Sequence, residues 1–140
     1  MIGRLNHVGV AVPTIEEGQA LYRDLFGATR ITEKCALPEQ GVWVSFVSLP
    51  NAEIELIAPL DETSPVAGFL AKNRKGGQHH LCFEVENLLA ARDALVAHGA
   101  QVIGSGEPRM GAHGEPVLFL HPKTTGGVLI ELMQAPREAH

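Results

Sequence analysis

Only two cysteines, Cys35 and Cys82, occur in 140 residues. That is too few to hold a chain of this length together by disulfides. There is no run of 18 apolar residues, and hence no segment that reads as a transmembrane helix. Basic residues are not in excess: 11 Lys and Arg against 16 Asp and Glu give a formal net charge of −5. With the basic residues scattered, the cationic surface that nucleic acid requires is excluded. Met1-Ile2-Gly3-Arg4 leads straight into a strand pattern, without the apolar stretch and small-residue site of a secretory leader. The expectation is a cytoplasmic protein with no membrane or nucleic-acid partner. Apolar residues at 45% and charged residues at 19% are ordinary for one globular domain, or for two fused half-size units sharing a core.

What the chain does have is a repeat. Leu5-Asn6-His7-Val8-Gly9-Val10-Ala11-Val12 returns as Gln78-His79-His80-Leu81-Cys82-Phe83-Glu84-Val85, with His7 and His80 in register 73 positions apart. The same offset carries Thr14 onto Asn87, each of which opens a helical pattern. A later pair also repeats, with Glu55 in Ala52-Glu53-Ile54-Glu55-Leu56-Ile57 falling on Glu131 in Val128-Leu129-Ile130-Glu131-Leu132-Met133. Each copy thus supplies one His early and one Glu late.

In chain order, residues 4–12 read as a Val-rich strand that Pro13 ends. Thr14 and Glu17 form a capping box for a helix whose apolar face is Ile15, Leu21, Tyr22, Leu25 and Phe26, stopped by Gly27. Residues 28–36 and 42–49 read as strands around a turn-forming stretch, and 52–58 as a further strand. Residues 59–77 are a linker, with a short helix from Pro65 behind Ser64. The second copy opens with a strand over 78–86. Asn87 then caps a helix bearing Leu88, Ala91, Leu95 and Val96, which Gly99 stops. Strands follow near 101–104, 116–121 and 127–133. Gly104, Gly106, Gly111 and Gly114 crowd the loop between the first two, and the tail from Ala135 is expected to fray. The expected fold is α+β: two tandem βαβββ modules, about 4–58 and 78–134, forming one open barrel over residues 1–140.

Side chains alternate along a strand, so His80 shares a face with Cys82 and Glu84 while His79 points the other way. Glu55 shares a face with Glu53 and Ile57, and Glu131 with Leu129 and Met133. If equivalent strands converge on one cleft, an imidazole and a carboxylate from each half point inward. Two buried carboxylates without compensating charge would cost several kcal/mol each, about the effective penalty for a desolvated ion, and a divalent cation removes that cost. Nitrogen and oxygen donors favour Mn²⁺, Co²⁺, Fe²⁺, Ni²⁺ or Zn²⁺. The competing reading makes each His a hydrogen-bonded core residue and each Glu a solvent-facing one. For a single residue that reading is the better one, and only the matched repeat favours the metal site. Cys82 is read as a small apolar filler rather than a ligand.

The longer strings resemble one family. Leu5-Asn6-His7-Val8, Pro38-Glu39-Gln40-Gly41-Val42, Glu55-Leu56-Ile57-Ala58-Pro59-Leu60, Gly77-Gln78-His79-His80, Gly111-Ala112-His113-Gly114, His121-Pro122-Lys123 and Gly127-Val128-Leu129-Ile130-Glu131-Leu132 are similar to the methylmalonyl-CoA epimerases of the vicinal oxygen chelate (glyoxalase-like) superfamily. The resemblance runs from about Leu5 to Ala135. It implies His7, Glu55, His80 and Glu131 as ligands of a divalent ion, Co²⁺ or Mn²⁺. It also implies an acyl-CoA substrate, a homodimer, and Glu131 as a base that removes the α-proton of methylmalonyl-CoA to give an enolate. Some members carry a second Glu where this chain has Val44, so the second base has no assignment, with Glu55 and Glu84 as candidates. Gly111, Ala112, His113 and Lys123 are candidate substrate contacts, with Lys123 or Arg109 toward the coenzyme A phosphates, and His98 is read as interacting with the end of its helix. The alternatives are a glyoxalase I-type lyase, an extradiol dioxygenase, and a non-catalytic small-molecule-binding module on the same scaffold.

Overall fold

The computed structural model describes residues 1–136. Its elements are β1 (Leu5–Ala11), α1 (Ile15–Ala20), β2 (Cys35–Leu37), β3 (Val42–Ser48), β4 (Glu53–Pro59), α2 (Pro65–Lys72), β5 (Gly77–Val85), α3 (Leu88–Ala97), β6 (Arg109–Met110), β7 (Pro116–Leu120) and β8 (Ile130–Gln134). The order βαβββ occurs twice, with α2 between. The fold is therefore the α+β arrangement expected, with strand order β2-β3-β4-β1 in the first half of the chain and β5-β8-β7-β6 in the second. Two compact units are resolved: His7–His79, and Met1–Asn6 together with the chain from His80 onward.

In the unit His7–His79, β1 pairs in parallel with β4, and β4 in turn pairs antiparallel with β3. Pro13 cannot continue the strand, and Thr14 starts the helix by accepting a hydrogen bond from the Glu17 amide at 3.2 Å. Ile15 is buried and packs with Val12, Val47, Leu56 and Ala58 on one side of the sheet. After α1 the chain widens into a π-helical turn over Leu21–Leu25, and Gly27 follows at φ 70°. That turn rotates the expected apolar face away from the core. Only Ile15 is buried, whereas Leu21, Leu25 and Phe26 are 46%, 69% and 65% exposed. The strand expected over 28–36 shrinks to β2, with Ile31 making an isolated bridge to Val47. Thr32 keeps one bond to β3, its amide donating to Phe46 O at 2.9 Å, but its carbonyl accepts from the Ser45 hydroxyl and its hydroxyl from the Phe46 amide, so the regular ladder does not continue.

In the other unit, β5 pairs in parallel with β8, which pairs antiparallel with β7. Asn87 accepts from the Ala90 amide to cap α3, and Gly99 at φ 99° ends it. Leu88 and Ala91 join Val85, Leu118, Leu120 and Leu132 in the core, while Val96 faces out. The strand expected near 101–104 is a single bridge, Val102 to Leu120, because Gly104 and Gly106 at positive φ break the extended chain. β6, two residues long, carried no signal in the pattern. The tail expectation lies outside the described residues beyond Pro136.

Candidate metal centre

Two strands and one register build each half of the site. In the first, Gly9 on β1 stands opposite Glu55 on β4, and His7 lies two residues before Gly9 on the same face. With no side chain between them, His7 reaches across, and its Nε2 lies 3.6 Å from Glu55 Oε1. In the second, Cys82 on β5 stands opposite Glu131 on β8, and His80 lies two residues before Cys82. His80 Nε2 lies 3.1 Å from Glu131 Oε1. The same arrangement is thus built twice, with a small residue beside each carboxylate.

The repeat also contains a pair that the sequence reading missed. Phe46 on β3 stands opposite Glu55, and its ring meets His7 edge-on with centroids 6.1 Å apart. Phe119 on β7 stands opposite Glu131 and meets His80 edge-on at 5.9 Å. Phe46 and Phe119 are 73 positions apart, the offset of His7 and His80, so the signal was present in the sequence. The glutamates are three positions further apart because the second hairpin is longer, holding a 3₁₀ turn over Pro122–Thr124 where the first turns tightly between Leu49 and Ala52.

All four residues are nearly inaccessible, with His7 2%, Glu55 6%, His80 5% and Glu131 4% exposed. Each unit thus brings a buried imidazole and a buried carboxylate together, and such a His/Glu group could hold a metal ion. Neutral imidazoles would satisfy the carboxylates' hydrogen-bonding needs without cancelling their charge. Bonds of about 2.1 Å place adjacent ligands about 3 Å apart and opposite ligands about 4.2 Å apart. The His80–Glu131 pair at 3.1 Å matches the adjacent spacing and the His7–Glu55 pair at 3.6 Å lies between the two values, and nitrogen and oxygen donors without thiolate suit a borderline divalent ion.

The other sequence candidates are placed as follows. Cys82 is fully buried with Val117 and Met133, the setting of an apolar filler, and it is not in the ligand group. Glu84 accepts from Asn6 Nδ2 at 2.9 Å and pairs with Arg4 at 3.3 Å, which occupies its carboxylate. Val44 is buried, in register with Ile57 and Cys35, and has no group to move a proton. The loop at 111–114 is a tight turn, with Gly114 N donating to Gly111 O at 3.0 Å. Gly111 is jammed against Val117, since an added Cβ would lie 2.7 Å from Val117 Cγ1. Ala112 is half-buried, and His113 and Lys123 are exposed. Lys123 N donates to His121 Nδ1 at 3.1 Å, and His98 Nδ1 meets the Ala94 carbonyl at 2.8 Å near the end of α3, as expected.

Residues 6–119 match the glyoxalase/bleomycin resistance protein/dioxygenase superfamily. The chain is 58% identical over 134 residues to the ethylmalonyl-CoA/methylmalonyl-CoA epimerase of Cereibacter sphaeroides, covering 96% of this chain and 99% of that one. It is 52% identical to the mitochondrial methylmalonyl-CoA epimerase of Homo sapiens, covering 96% of this chain and 75% of that one. Among solved structures, a methylmalonyl-CoA epimerase in complex with methylmalonyl-CoA and NH₄⁺ is 30% identical, with 96% of each chain covered and a TM-score of 0.88. The crystal structure of the Mycobacterium tuberculosis enzyme is 35% identical, with 96% of this chain and 90% of that chain covered and a TM-score of 0.87. The chain therefore belongs to the glyoxalase/bleomycin resistance protein/dioxygenase superfamily and, within it, to the methylmalonyl-CoA epimerase family.

Proposed function

We propose that this protein is an isomerase that epimerises (2R)- and (2S)-methylmalonyl-CoA, acting also on the ethylmalonyl thioester, with His7, Glu55, His80 and Glu131 as ligands of a Co²⁺ or Mn²⁺ ion. The buried His7–Glu55 and His80–Glu131 pairs, on a chain 58% identical to a named epimerase, carry the reading. A bound divalent ion would supply Lewis-acid polarisation of substrate oxygens. Glu131 is the base for the α-proton: its carboxylate is buried, and His80 at 3.1 Å fixes its orientation. Phe46 and Phe119 cover the imidazole edges with apolar surface and keep water from competing for the proton. Gly111, Ala112, His113 and Lys123 are the proposed contacts to substrate. Two tandem modules in a single domain, 1–140, make the working unit.

The protein is further proposed to be a homodimer, a state supported by the exposed apolar side chains of Leu21, Leu25 and Phe26. No helix among the described residues is long and apolar enough to cross a membrane. A cytoplasmic location is also proposed, in keeping with a chain that carries only two cysteines. The test is proton NMR of methylmalonyl-CoA in D₂O with metal-free protein, Co²⁺-loaded protein and Co²⁺ alone. Loss of the α-proton signal only with the loaded protein is expected. Exchange no faster than with Co²⁺ alone would refute the assignment.

A further inference from the structure

Scattered along most of the chain, the basic residues concentrate at one turn: Lys72, Arg74 and Lys75 flank Asn73 just after α2. No Asp or Glu occurs from residue 63 through residue 83, and all three cations are exposed. Elsewhere among the described residues Arg4, Arg23, Lys34 and Arg92 are in ion pairs. Lys72, Arg74 and Lys75 are in none of these pairs, and neither are Arg30, Arg109 and Lys123, but only the first three lie next to one another in the chain. Three positive charges in four residues repel one another, and only Lys72, in the last turn of α2, gains from the local fold through the partial negative charge of that helix end. The turn is held by its backbone and by Asn73, whose amide and side chain both donate to Phe69 O at 3.0 Å, and by Gly76 N donating to Asn73 O at 2.9 Å.

The turn is also fixed in place. Gly76 sits at φ 94° against the end of β1, where an added Cβ would lie 2.2 Å from Ala11 O. Ala11 is four residues beyond His7 on that strand, which is about 13 Å at about 3.3 Å per residue. From the sulfur of a coenzyme A thioester to its first phosphorus is about thirteen bonds, roughly the span of four extended residues, or about 14 Å. The two lengths match.

We propose that Lys72, Arg74 and Lys75 form the subsite for the phosphate groups of the coenzyme A moiety, an inference that rests on the acyl-CoA substrate assigned above. Arg74 offers paired N–H donors to one phosphate, and the two lysines act as mobile point charges for the rest. The substrate would then lie with its acyl end at His7 and its phosphates at the C-terminal end of β1.

The test compares the metal-loaded protein with the triple variant Lys72→Gln, Arg74→Gln, Lys75→Gln on two thioesters. The KM for methylmalonyl-CoA is expected to rise about tenfold or more with kcat within about twofold, because uniform binding is lost. The KM for methylmalonyl-pantetheine, which has no phosphate, is expected not to change. Added salt should raise the KM for the coenzyme A thioester in the unaltered protein and much less in the variant. Equilibrium dialysis with adenosine 3′,5′-bisphosphate should show the same weakening without any turnover. Equal KM and bisphosphate affinity in the two proteins would overturn the proposal, as would a loss produced by Arg109→Gln or Lys123→Gln instead. If the unaltered protein turns over neither thioester, the epimerase assignment fails by itself, and bisphosphate affinity still decides the subsite.

Discussion

Replacing Glu55 by Gln separates a metal ligand from a structural ion pair, because the two roles predict opposite signs. Glu55 is 6% exposed, and His7 Nε2 lies 3.6 Å from its carboxylate. If the pair is an imidazolium–carboxylate bridge, removing one charge leaves the other buried alone, and the cost is about 3–5 kcal/mol. If His7 is a neutral ligand, it does not cancel the charge of the buried carboxylate in metal-free protein. Gln then relieves a desolvation penalty of several kcal/mol while keeping a hydrogen-bonding group worth about 1 kcal/mol. A net gain of about 1–3 kcal/mol is expected, which for a domain of this size raises Tm by roughly 4–12 °C. The metal-induced increment should move the other way. An ion at a hundred times its Kd stabilises the folded state by about 2.7 kcal/mol, and the weaker site should lose most of that at the same concentration. Thermal denaturation with chelator and with added Co²⁺ measures both. A variant that melts earlier without metal, yet keeps the full Co²⁺ increment, would refute the ligand assignment of Glu55.

Glu131→Gln is expected to lower α-proton exchange by at least about a hundredfold with the far-ultraviolet circular dichroism unchanged, the scale of a lost general base; retention of exchange would place the base elsewhere. Gly76→Ala should destabilise by more than about 2 kcal/mol, since a left-handed φ alone costs about 1–2 kcal/mol and the Ala11 carbonyl must also move; denaturant titration reads it directly. Asn87→Ala removes the acceptor for the Ala90 amide and should cost about 1 kcal/mol in the same assay. Asp61 is held below its ordinary carboxylate value by the Thr63 hydroxyl and amide. Its depressed folded-state pKa contributes stability present above the unfolded value and lost as pH falls through the folded one. Thr63→Val should return the Asp61 carbon chemical-shift titration toward the ordinary midpoint.

The sequence exposed most where a residue's role is local or repeated. Thr14, Asn87, Gly27 and Gly99 act through their own turn, so their caps and stops were readable one residue at a time. His7, His80, Glu55 and Glu131 stood out because duplication wrote the pattern twice, and within each unit the imidazole lies beside the carboxylate of the same copy. Phe46 and Phe119 carry the same signature, yet an apolar residue on a strand reads as core until its register against a carboxylate is known. The short strands failed for a different reason. Residues 28–34 have a strand-like composition, but Thr32 spends its backbone and side-chain groups on Ser45 and Phe46, a choice made by partners 13 and 14 positions away. The outward face of Leu21, Leu25 and Phe26 likewise depends on a π-helical turn that a period of 3.6 does not encode.

The unequal hairpins have a consequence for how such a protein can change. In each half the carboxylate and its facing phenylalanine form a rung that a fixed ladder keeps in place, while the connection beyond the rung is free to differ in length. Residues gained or lost at that tip leave the rung untouched, because the extra turn of Pro122–Thr124 lies outside the paired strands. A duplicated ancestor could therefore vary the two rims independently, reshaping what enters while the chemistry at the base of the strands stayed constant.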